Sequence, residues 1–291
     1  MRWEMWLLYV LLRLCGWLPL RLLHAVGTLL GGSMRRWHTS VAHVVEVNLM
    51  IARPEINATA RAALQRAALI EAGKSVFEIL KVWGMGARRS QALVREVRGS
   101  AYVDAALEAG KGLIIAAPHL GCWELLNNWL CSRTPMSILY RPPRLATMEA
   151  LLRKVRAAPE QVRAEGVGVR KLYRRLAAGG TVGILPDQKP REGEGQHAPF
   201  FGHDALTMVL LPRLAARTGA TVLFAFAERL PRGKGYRIHI LPAPEGLANT
   251  DMAKACAALN RGVEACVARA FTQYQWHYRR YSARTMANPY Q

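Results

Sequence analysis

A histidine and a glutamate five positions apart stand in the stretch "IIAAPHLGCWELL", residues 114–126. His119 follows a hydrophobic run, and Glu124 precedes residues that favour a helix. Imidazole beside a carboxylate is a general-base pair, because the acid binds one ring nitrogen and leaves the other to take a proton from a substrate hydroxyl. Such a pair needs no nucleophile from the protein. The stretch is therefore a candidate catalytic site.

The five-residue spacing restricts how the two side chains meet. On a continuous helix, five residues turn about 500°, which leaves the side chains about 140° apart. The pair works only if His119 precedes the helix and Glu124 lies in its first turns. Pro118 and Gly121 predict such a break between strand and helix. The helix N-terminus then offers backbone N–H groups to a developing oxyanion.

Two other interpretations of the stretch stay open at this point. Cys122 is a candidate nucleophile activated by His119, since a helix N-terminus lowers the pKa of a thiol. Alternatively, His119 is a core histidine and Glu124 is an ordinary acid in the first helical turn, where the helix dipole favours it. The residue types alone do not decide among these interpretations.

Hydrophobic runs between turn signals predict the elements that position this site. Strands are predicted at 112–118, 136–140, 181–186, 220–229 and 236–243, and helices within 55–95, 144–178 and 251–273. Strands that alternate with helices favour an α/β fold with one central, mostly parallel or mixed sheet flanked by helices. Working residues gather at the carboxyl ends of strands in such sheets, and His119, Arg141 and Asp187 all follow predicted strands.

The first residues of the chain are unusually apolar. Residues 5–32 are interrupted only by Arg13, Arg21, His24 and Pro19 among otherwise apolar or small side chains. Tryptophans at the ends of the run suit a headgroup region, which favours an uncleaved helix that spans a membrane or lies in its interface. A buried core helix is the alternative. We therefore divide the chain into a membrane-associating helix, 1–36, and a catalytic domain, 37–291.

The composition of the chain limits the classes of molecule that it is expected to bind. The 40 Lys and Arg against 20 Asp and Glu give a net charge of +20, which attracts polyanions such as nucleic acid, anionic lipid or an acidic protein. The five cysteines show no spacing for a disulfide framework or a zinc site. No aromatic and basic RNA motif and no DNA-reading module stands in the chain. We expect no metal and no nucleic-acid partner.

The chain resembles the bacterial lipid A late acyltransferases, the lauroyl and myristoyl transferase family, within the glycerolipid acyltransferases that share H-x-x-x-x-D/E. The resemblance extends over about residues 1–285, and one segment, 156–170, lacks an Arg-x-Gly element of the family pattern. Six blocks carry it in family order: "NLMIARPEI" (48–56), "AAPHLGCWE" (116–124), "LYRPP" (139–143), residues 153–188 with "LPDQ", residues 198–229 with "PFFG", and "QYQWHYRRY" (273–281).

The resemblance implies roles for the residues of these blocks. His119 would be the general base and Glu124 would orient it. Arg156 would bind a phosphate or the phosphopantetheine arm of the donor, and Asp187 would orient Arg156 or a loop. Arg141 is a substrate contact in this interpretation, and Gln188 binds substrate or holds the loop after Asp187.

The resemblance also implies an activity: transfer of a fatty acyl chain from an acyl carrier protein thioester to a hydroxyl of a lipid A precursor. No cofactor is expected, since a thioester is already activated. We expect a monomer anchored by its N-terminal helix on the cytoplasmic face of the inner membrane, among its lipids. The same chemistry on another glycolipid or aminolipid is the alternative, and a non-catalytic basic membrane- or nucleic-acid-binding protein is a second.

Overall fold

The computed structural model describes residues 3–140, 149, 151–152, 155–156, 159–164, 166–282 and 288–291. The α-helices whose two ends lie within the described residues are α1 (Trp3–Trp17), α2 (Leu20–Arg36), α3 (Ser40–Ala52), α4 (Ala58–Met85), α5 (Ala87–Ser90), α6 (Ser100–Glu108), α7 (Trp123–Arg133), α8 (Gly166–Ala177), α9 (Leu210–Thr218) and α10 (Met252–Val267). The strands are β1 (Val94–Arg98), β2 (Leu113–Ala116), β3 (Met136–Tyr140), β4 (Glu160–Arg163), β5 (Thr181–Ile184), β6 (Gly195–Phe200), β7 (His203–Met208), β8 (Thr221–Arg229) and β9 (Tyr236–Pro242). Short 3₁₀ helices lie at Gln91–Leu93, Pro231–Gly233 and Phe271–Gln273.

A seven-stranded mixed sheet forms the centre of the fold, in the order β1-β9-β8-β2-β5-β3-β4. β8 and β9 are antiparallel, and every other neighbouring pair in this sheet is parallel. β6 and β7 form a separate antiparallel hairpin. The α/β fold with one mixed sheet flanked by helices is thus confirmed.

The central strands are buried on both faces, and their continuous apolar residues made them predictable from the sequence. Every residue of β2 and β5 is buried, as expected of parallel strands covered by helices on both sides. Ile114 and Val182 face one core layer, and Leu113 and Ile115 face the other, which α7 covers. β1, β4, β6 and β7 were not predicted, and the last helix ends at Val267 rather than at residue 273.

The N-terminal apolar run is two helices rather than one. α1 and α2 meet at Pro19 with a bend of 118° between their axes. Within the described residues no helix alone has the length and apolar composition of a membrane span, although the bent pair together has them. Large apolar side chains nevertheless face solvent here, including Trp17, Leu29 and Trp37. α2 ends at Arg36, and the division into two domains at that residue stays a prediction.

Glycines let α2 lie directly against α4. A Cβ added at Gly31 would lie 2.2 Å from the carbonyl oxygen of Leu69, and one added at Gly27 would lie 2.6 Å from the Cα of Lys74. On α4, a Cβ at Gly73 would lie 2.1 Å from the carbonyl oxygen of Gly27. Small residues four apart allow this close backbone contact. The first helices are therefore packed on the rest of the fold.

A buried ion cluster adds to this contact. Glu78 on α4 accepts hydrogen bonds from the guanidinium of Arg229 at the end of β8, and its Oε1 lies 2.7 Å from Nε2 of His24 on α2. Arg229 also contacts Glu71 and donates to Oγ of Ser75 at 2.9 Å. Burial opposes the charge on Glu78, but Arg229 outweighs it and lowers the pKa of the carboxyl to about 2. One buried cluster thus connects α2, α4 and the sheet.

Candidate active site

The loop that carries His119 leaves β2 and turns sharply before α7. Gly121 has φ of +61°, and a Cβ there would lie 2.0 Å from the carbonyl oxygen of Ala227 on β8. The amide of Cys122 donates to Ala227 at 2.9 Å, while the amide of Gly121 donates to the carbonyl of Gln273 at 3.2 Å. α7 begins at Trp123, so His119 precedes the helix and Glu124 lies in its first turn. The predicted break between strand and helix is confirmed.

Asp187 holds His119 at two points. Its Oδ1 lies 2.8 Å from Nδ1 of the ring, and its Oδ2 accepts the main-chain N–H of His119 at 2.8 Å. Because a carboxylate only accepts, the proton of the ring contact belongs to Nδ1, which leaves the lone pair of Nε2 available. Burial would raise the pKa of Asp187, but the His119 ring and these hydrogen bonds lower it below its ordinary value. The acid therefore stays ionised beside the ring.

The strand register explains this pairing. β2 and β5 are parallel neighbours in which Ala116 lies opposite Ile184. His119 is three residues beyond Ala116, and Asp187 is three residues beyond Ile184. Equal offsets from paired positions bring both side chains to the same place at the carboxyl edge of the sheet.

Glu124 does not occupy the position expected of it. From the sequence, Glu124 was expected to orient the ring of His119, and Asp187 to orient Arg156 or a loop. In the structure Asp187 pairs with His119, and Glu124 pairs with Arg156. Nε of Arg156 donates to Oε1 of Glu124 at 2.9 Å and to Oε2 at 3.1 Å, and Nη2 contacts Oε1 as well. The arginine also lies over the ring of Trp83, with its Cζ 5.8 Å from the ring centroid. Asp187, rather than Glu124, pairs with His119 because His119 and Asp187 follow neighbouring strands at the same edge of the sheet.

The side-chain amide of Gln188 faces the second nitrogen of His119. Nε2 of Gln188 lies 3.3 Å from Nε2 of the histidine and donates to Oε1 of Gln275 at 3.3 Å. Gln275 also donates its main-chain N–H to the carbonyl of His119 at 3.1 Å. Gln188 therefore stands where a substrate atom would approach the ring. Arg141, the remaining predicted site residue, lies outside the described residues.

The thiol of Cys122 is badly placed for a nucleophile. Cys122 is 2% exposed, and burial raises its pKa well above the ordinary value. A thiol in that state carries little thiolate. The described residues also contain no group of three or more His, Cys, Asp and Glu side chains arranged around a common metal position.

A cavity of about 1180 Å³ opens beside His119. Polar residues border it near the ring: His119, Trp123, Glu124, Arg156, Gln188 and Gln275. Farther from the ring it is bordered by buried apolar residues of β2, β3 and α7. Arginines of α8 and α9 contribute at its rim: Arg170, Arg174, Arg213 and Arg217. A cavity of this kind accepts a molecule with an anionic part and a long apolar part.

Gln275 and Trp83 were not predicted as site residues from the sequence. Gln275 stands in the quoted block "QYQWHYRRY", so its position was visible although its contact with Gln188 was not. Trp83 gave no signal, since a tryptophan inside an apolar helix is indistinguishable from an ordinary core residue.

Comparison with known proteins decides the family. The family model described as bacterial lipid A biosynthesis acyltransferase matches residues 1–283. The chain belongs to this family. The resemblance stated from the sequence blocks is thereby confirmed, and the chain is an acyltransferase.

Curated relatives of the chain carry related names. A lipid A biosynthesis lauroyltransferase of Escherichia coli strain K12 is 26% identical over 289 residues, or 99% of this chain and 94% of the relative. A lipid A biosynthesis palmitoleoyltransferase of the same organism is 26% identical over 286 residues, or 97% of this chain and 92% of the relative. A phosphatidylinositol mannoside acyltransferase of Mycobacterium tuberculosis (strain CDC 1551 / Oshkosh) is 26% identical over 182 residues, or 60% and 58%. Family membership supports a role in lipid A biosynthesis with a lipid A or glycolipid acceptor.

Proposed function

We propose that the protein transfers a fatty acyl chain from an acyl carrier protein thioester to a hydroxyl of a lipid A precursor, with His119 as general base. One observation carries this proposal most directly. Asp187 fixes His119 through Nδ1 and through the main chain, so that Nε2 faces a cavity with a polar mouth and an apolar interior. A base at the mouth of an apolar cavity suits a reaction between a hydroxyl and a long-chain acyl donor.

The reaction balances without a group from outside the substrates. The acceptor hydroxyl gives its proton to Nε2 of His119 as its oxygen attacks the thioester carbonyl carbon. A carbon–oxygen bond forms and the carbon–sulfur bond breaks, and the imidazolium returns the proton to the departing thiolate. Asp187 stabilises the charge that the ring carries between these steps.

Oxyanion stabilisation has two sources in this proposal. The amides of Trp123 and Glu124 belong to the first turn of α7, where N–H groups have no acceptor within the helix. The side-chain amide of Gln188 lies 3.3 Å from Nε2 of His119 and is a third donor close to the reacting atoms. Arg156, held by Glu124, contacts an anionic part of donor or acceptor at the same mouth.

The rim arginines support anionic substrates. Arg170 and Arg174 are one helical turn apart on α8, as Arg213 and Arg217 are on α9. Like charges at this spacing oppose helix stability, so a bound anion would relieve them. An acyl carrier protein, which is acidic, and a phosphorylated lipid both fit this rim, and we assign the carrier protein to it.

We also propose that the protein works on the cytoplasmic face of the inner membrane, through the outer surface of α1 and α2. On these helices Trp17 is 75% and Leu29 is 74% exposed, and Trp37, directly after α2, is 73% exposed. Exposed apolar side chains flanked by Arg35 and Arg36 suit the interface of an anionic bilayer. A lipid acceptor would reach the cavity from that bilayer.

The decisive experiment incubates the purified full-length protein with an acyl carrier protein thioester and a lipid A precursor in mixed micelles. We expect mass spectrometry to show the precursor heavier by one acyl chain, and no gain when the thioester is omitted. If the precursor gains no mass with a carrier protein thioester of any chain length, the proposed function is wrong.

A second acceptor has one specific observation in its favour, the partial similarity to a phosphatidylinositol mannoside acyltransferase. The same incubation with a mannosylated phospholipid separates the two acceptors. Transfer to that lipid but not to the lipid A precursor would replace the first acceptor with the second and would leave the chemistry at His119 unchanged.

A further inference from the structure

The apolar part of the cavity lies between one face of the sheet and α7. Parallel register places Ile115, Gly183 and Ile138 in one row across β2, β5 and β3. The next row on the same face, farther from His119, consists of Leu113, Thr181 and Met136. Leu126 and Leu130 of α7 cover these rows, and both are almost fully buried.

Gly183 interrupts this face where its neighbours are large. It lines the cavity between Ile115 and Ile138, and as a glycine it has no side chain to fill the space above its own strand. Glycine inside a strand often marks the close approach of another group. The group that approaches Gly183 is a side chain of the next row, farther from His119.

Met136 is the side chain that lies over Gly183. A Cβ added at Gly183 would lie 3.2 Å from Sδ of Met136 and 3.2 Å from Cγ2 of Ile138. Met136 is 3% exposed and lines the cavity, whereas Leu113 and Thr181 of the same row do not line it. In the same row, Oγ1 of Thr181 is 3.2 Å from Oγ1 of Thr134, a polar contact that an alkyl chain does not replace.

We propose that Met136 resting on Gly183 is the floor of the acyl-chain site and sets the longest chain that the protein transfers. This inference rests on the proposed acyl transfer. From Ala117 at the carboxyl edge to Leu113 in the row of Met136, four strand residues span about 13 Å. Methionine is unbranched and adapts its conformation, which suits a floor that yields slightly to different chains.

The contact predicts opposite effects for two substitutions. In Gly183→Ala, the new methyl group and the displaced Met136 side chain together take space from the site, so preference shifts to shorter chains. In Met136→Ala, the floor is removed and preference shifts to longer chains. Each methylene of the acyl chain that is newly buried in the site, or excluded from it, changes kcat/KM for that chain relative to the others by about fourfold. The double variant, Gly183→Ala with Met136→Ala, returns toward the wild-type preference because the clash is relieved.

The test measures competition among saturated acyl carrier protein thioesters that differ by two methylenes, with lipid A precursor as acceptor and product masses as readout. Val182→Ile is the matched control, because it adds a carbon to the same strand but on the opposite face. Its chain-length profile should equal that of the wild-type protein. A profile that is identical in wild-type, Gly183→Ala and Met136→Ala proteins overturns the inference and leaves acyl transfer standing.

Two further outcomes decide the matter when a single variant is unstable. If Gly183→Ala fails to fold, Met136→Ala alone must lengthen the preferred chain, and an unchanged preference overturns the inference. If wild-type protein transfers no chain to any acceptor, the proposed function fails first and this inference falls with it.

Discussion

Asp187 contacts both the ring and the main chain of His119, so one carboxylate fixes the tautomer and the loop together. Asp187→Asn keeps the size of the side chain but presents an amide to Nδ1. That amide can donate a hydrogen bond, which favours the wrong tautomer of the ring. We expect kcat to fall by about 10² to 10⁴-fold, measured as initial rate of acyl transfer at saturating substrates.

Glu124→Gln is the matched comparison, since it makes the same chemical change at the acid paired with Arg156. The imidazole keeps its partner in this variant, while Arg156 loses part of its charge-assisted contact. We expect Glu124→Gln to change KM for the substrate that Arg156 contacts, donor or acceptor, more than it changes kcat. A loss of kcat in Glu124→Gln that equals the loss in Asp187→Asn would contradict the pairing seen in the structure.

The site residues were predictable individually, but their pairing was not. His119 and Asp187 both stand after hydrophobic runs, and this sufficed to place them at strand ends. That they meet depends on β2 and β5 being neighbours in register, a property of the strand order in the sheet. Glu124 was assigned to His119 because it is close in sequence, and closeness in sequence does not determine which acid shares the strand edge.

At the scale of elements, the contact between α2 and α4 depends on single glycines. Gly31→Ala adds a methyl group 2.2 Å from the carbonyl oxygen of Leu69, so the helices must separate. We expect a loss of stability of about 1–3 kcal/mol, seen as a lower midpoint of thermal unfolding by circular dichroism in detergent.

Gly32→Ala is the control on the same helix, because a Cβ there meets no atom within 4 Å. Alanine is the better helix former by up to about 1 kcal/mol, so this variant should be as stable as the wild-type protein or more stable. Equal destabilisation by both substitutions would show that close packing at Gly31 is not the cause.

The ion cluster around Glu78 predicts a dependence of stability on acid. Its pKa lies near 2 in the folded protein, below its ordinary value of 4.5. The contribution of Glu78 is therefore present above pH 4.5 and is lost as pH falls from 4.5 to about 2, since the unfolded chain binds the proton first. We expect Glu78→Gln to be less stable at neutral pH and to lose less stability across this pH range than the wild-type protein.

Thermal unfolding of wild-type and Glu78→Gln proteins at several pH values between 4.5 and 2 measures this difference. Glu46→Gln removes a carboxylate from an exposed position on α3 and serves as the control. If the wild-type, Glu78→Gln and Glu46→Gln proteins all lose the same amount of stability between pH 4.5 and 2, the buried cluster is not the cause of the acid dependence.

Elements were predictable where burial is continuous and were missed where it is not. β2, β3, β5, β8 and β9 are apolar runs, and the sequence predicted them within a few residues. β1 reads VREVR and β4 reads EQVR, two polar strands at the edges of the sheet. Their strand conformation follows from pairing with β9 and β3, which a local pattern does not contain.

At the scale of the whole molecule, the net charge of +20 bears on substrate binding through the arginines that lie beside the cavity. Replacing Arg213 and Arg217 by glutamate reverses the charge on one side of the rim. We expect KM for the acyl carrier protein thioester to rise by about tenfold or more at low salt, with kcat nearly unchanged, because rim charges act mainly on association.

Arg88→Glu with Arg89→Glu makes the same charge change at exposed positions that do not line the cavity. Steady-state kinetics of both double variants at several salt concentrations separate local from overall charge. Equal increases in KM would show that the carrier protein responds to net charge and not to the rim.

The proposed acyl transfer depends above all on His119 as its general base. The most direct measurement compares wild-type and His119→Gln proteins, each verified as folded by circular dichroism, for the mass gained by a lipid A precursor from an acyl carrier protein thioester. We predict that the precursor gains one acyl chain with the wild-type protein and that the rate falls by about 10²-fold or more with the variant. A folded His119→Gln protein that acylates the precursor at the wild-type rate would show that His119 is not the base.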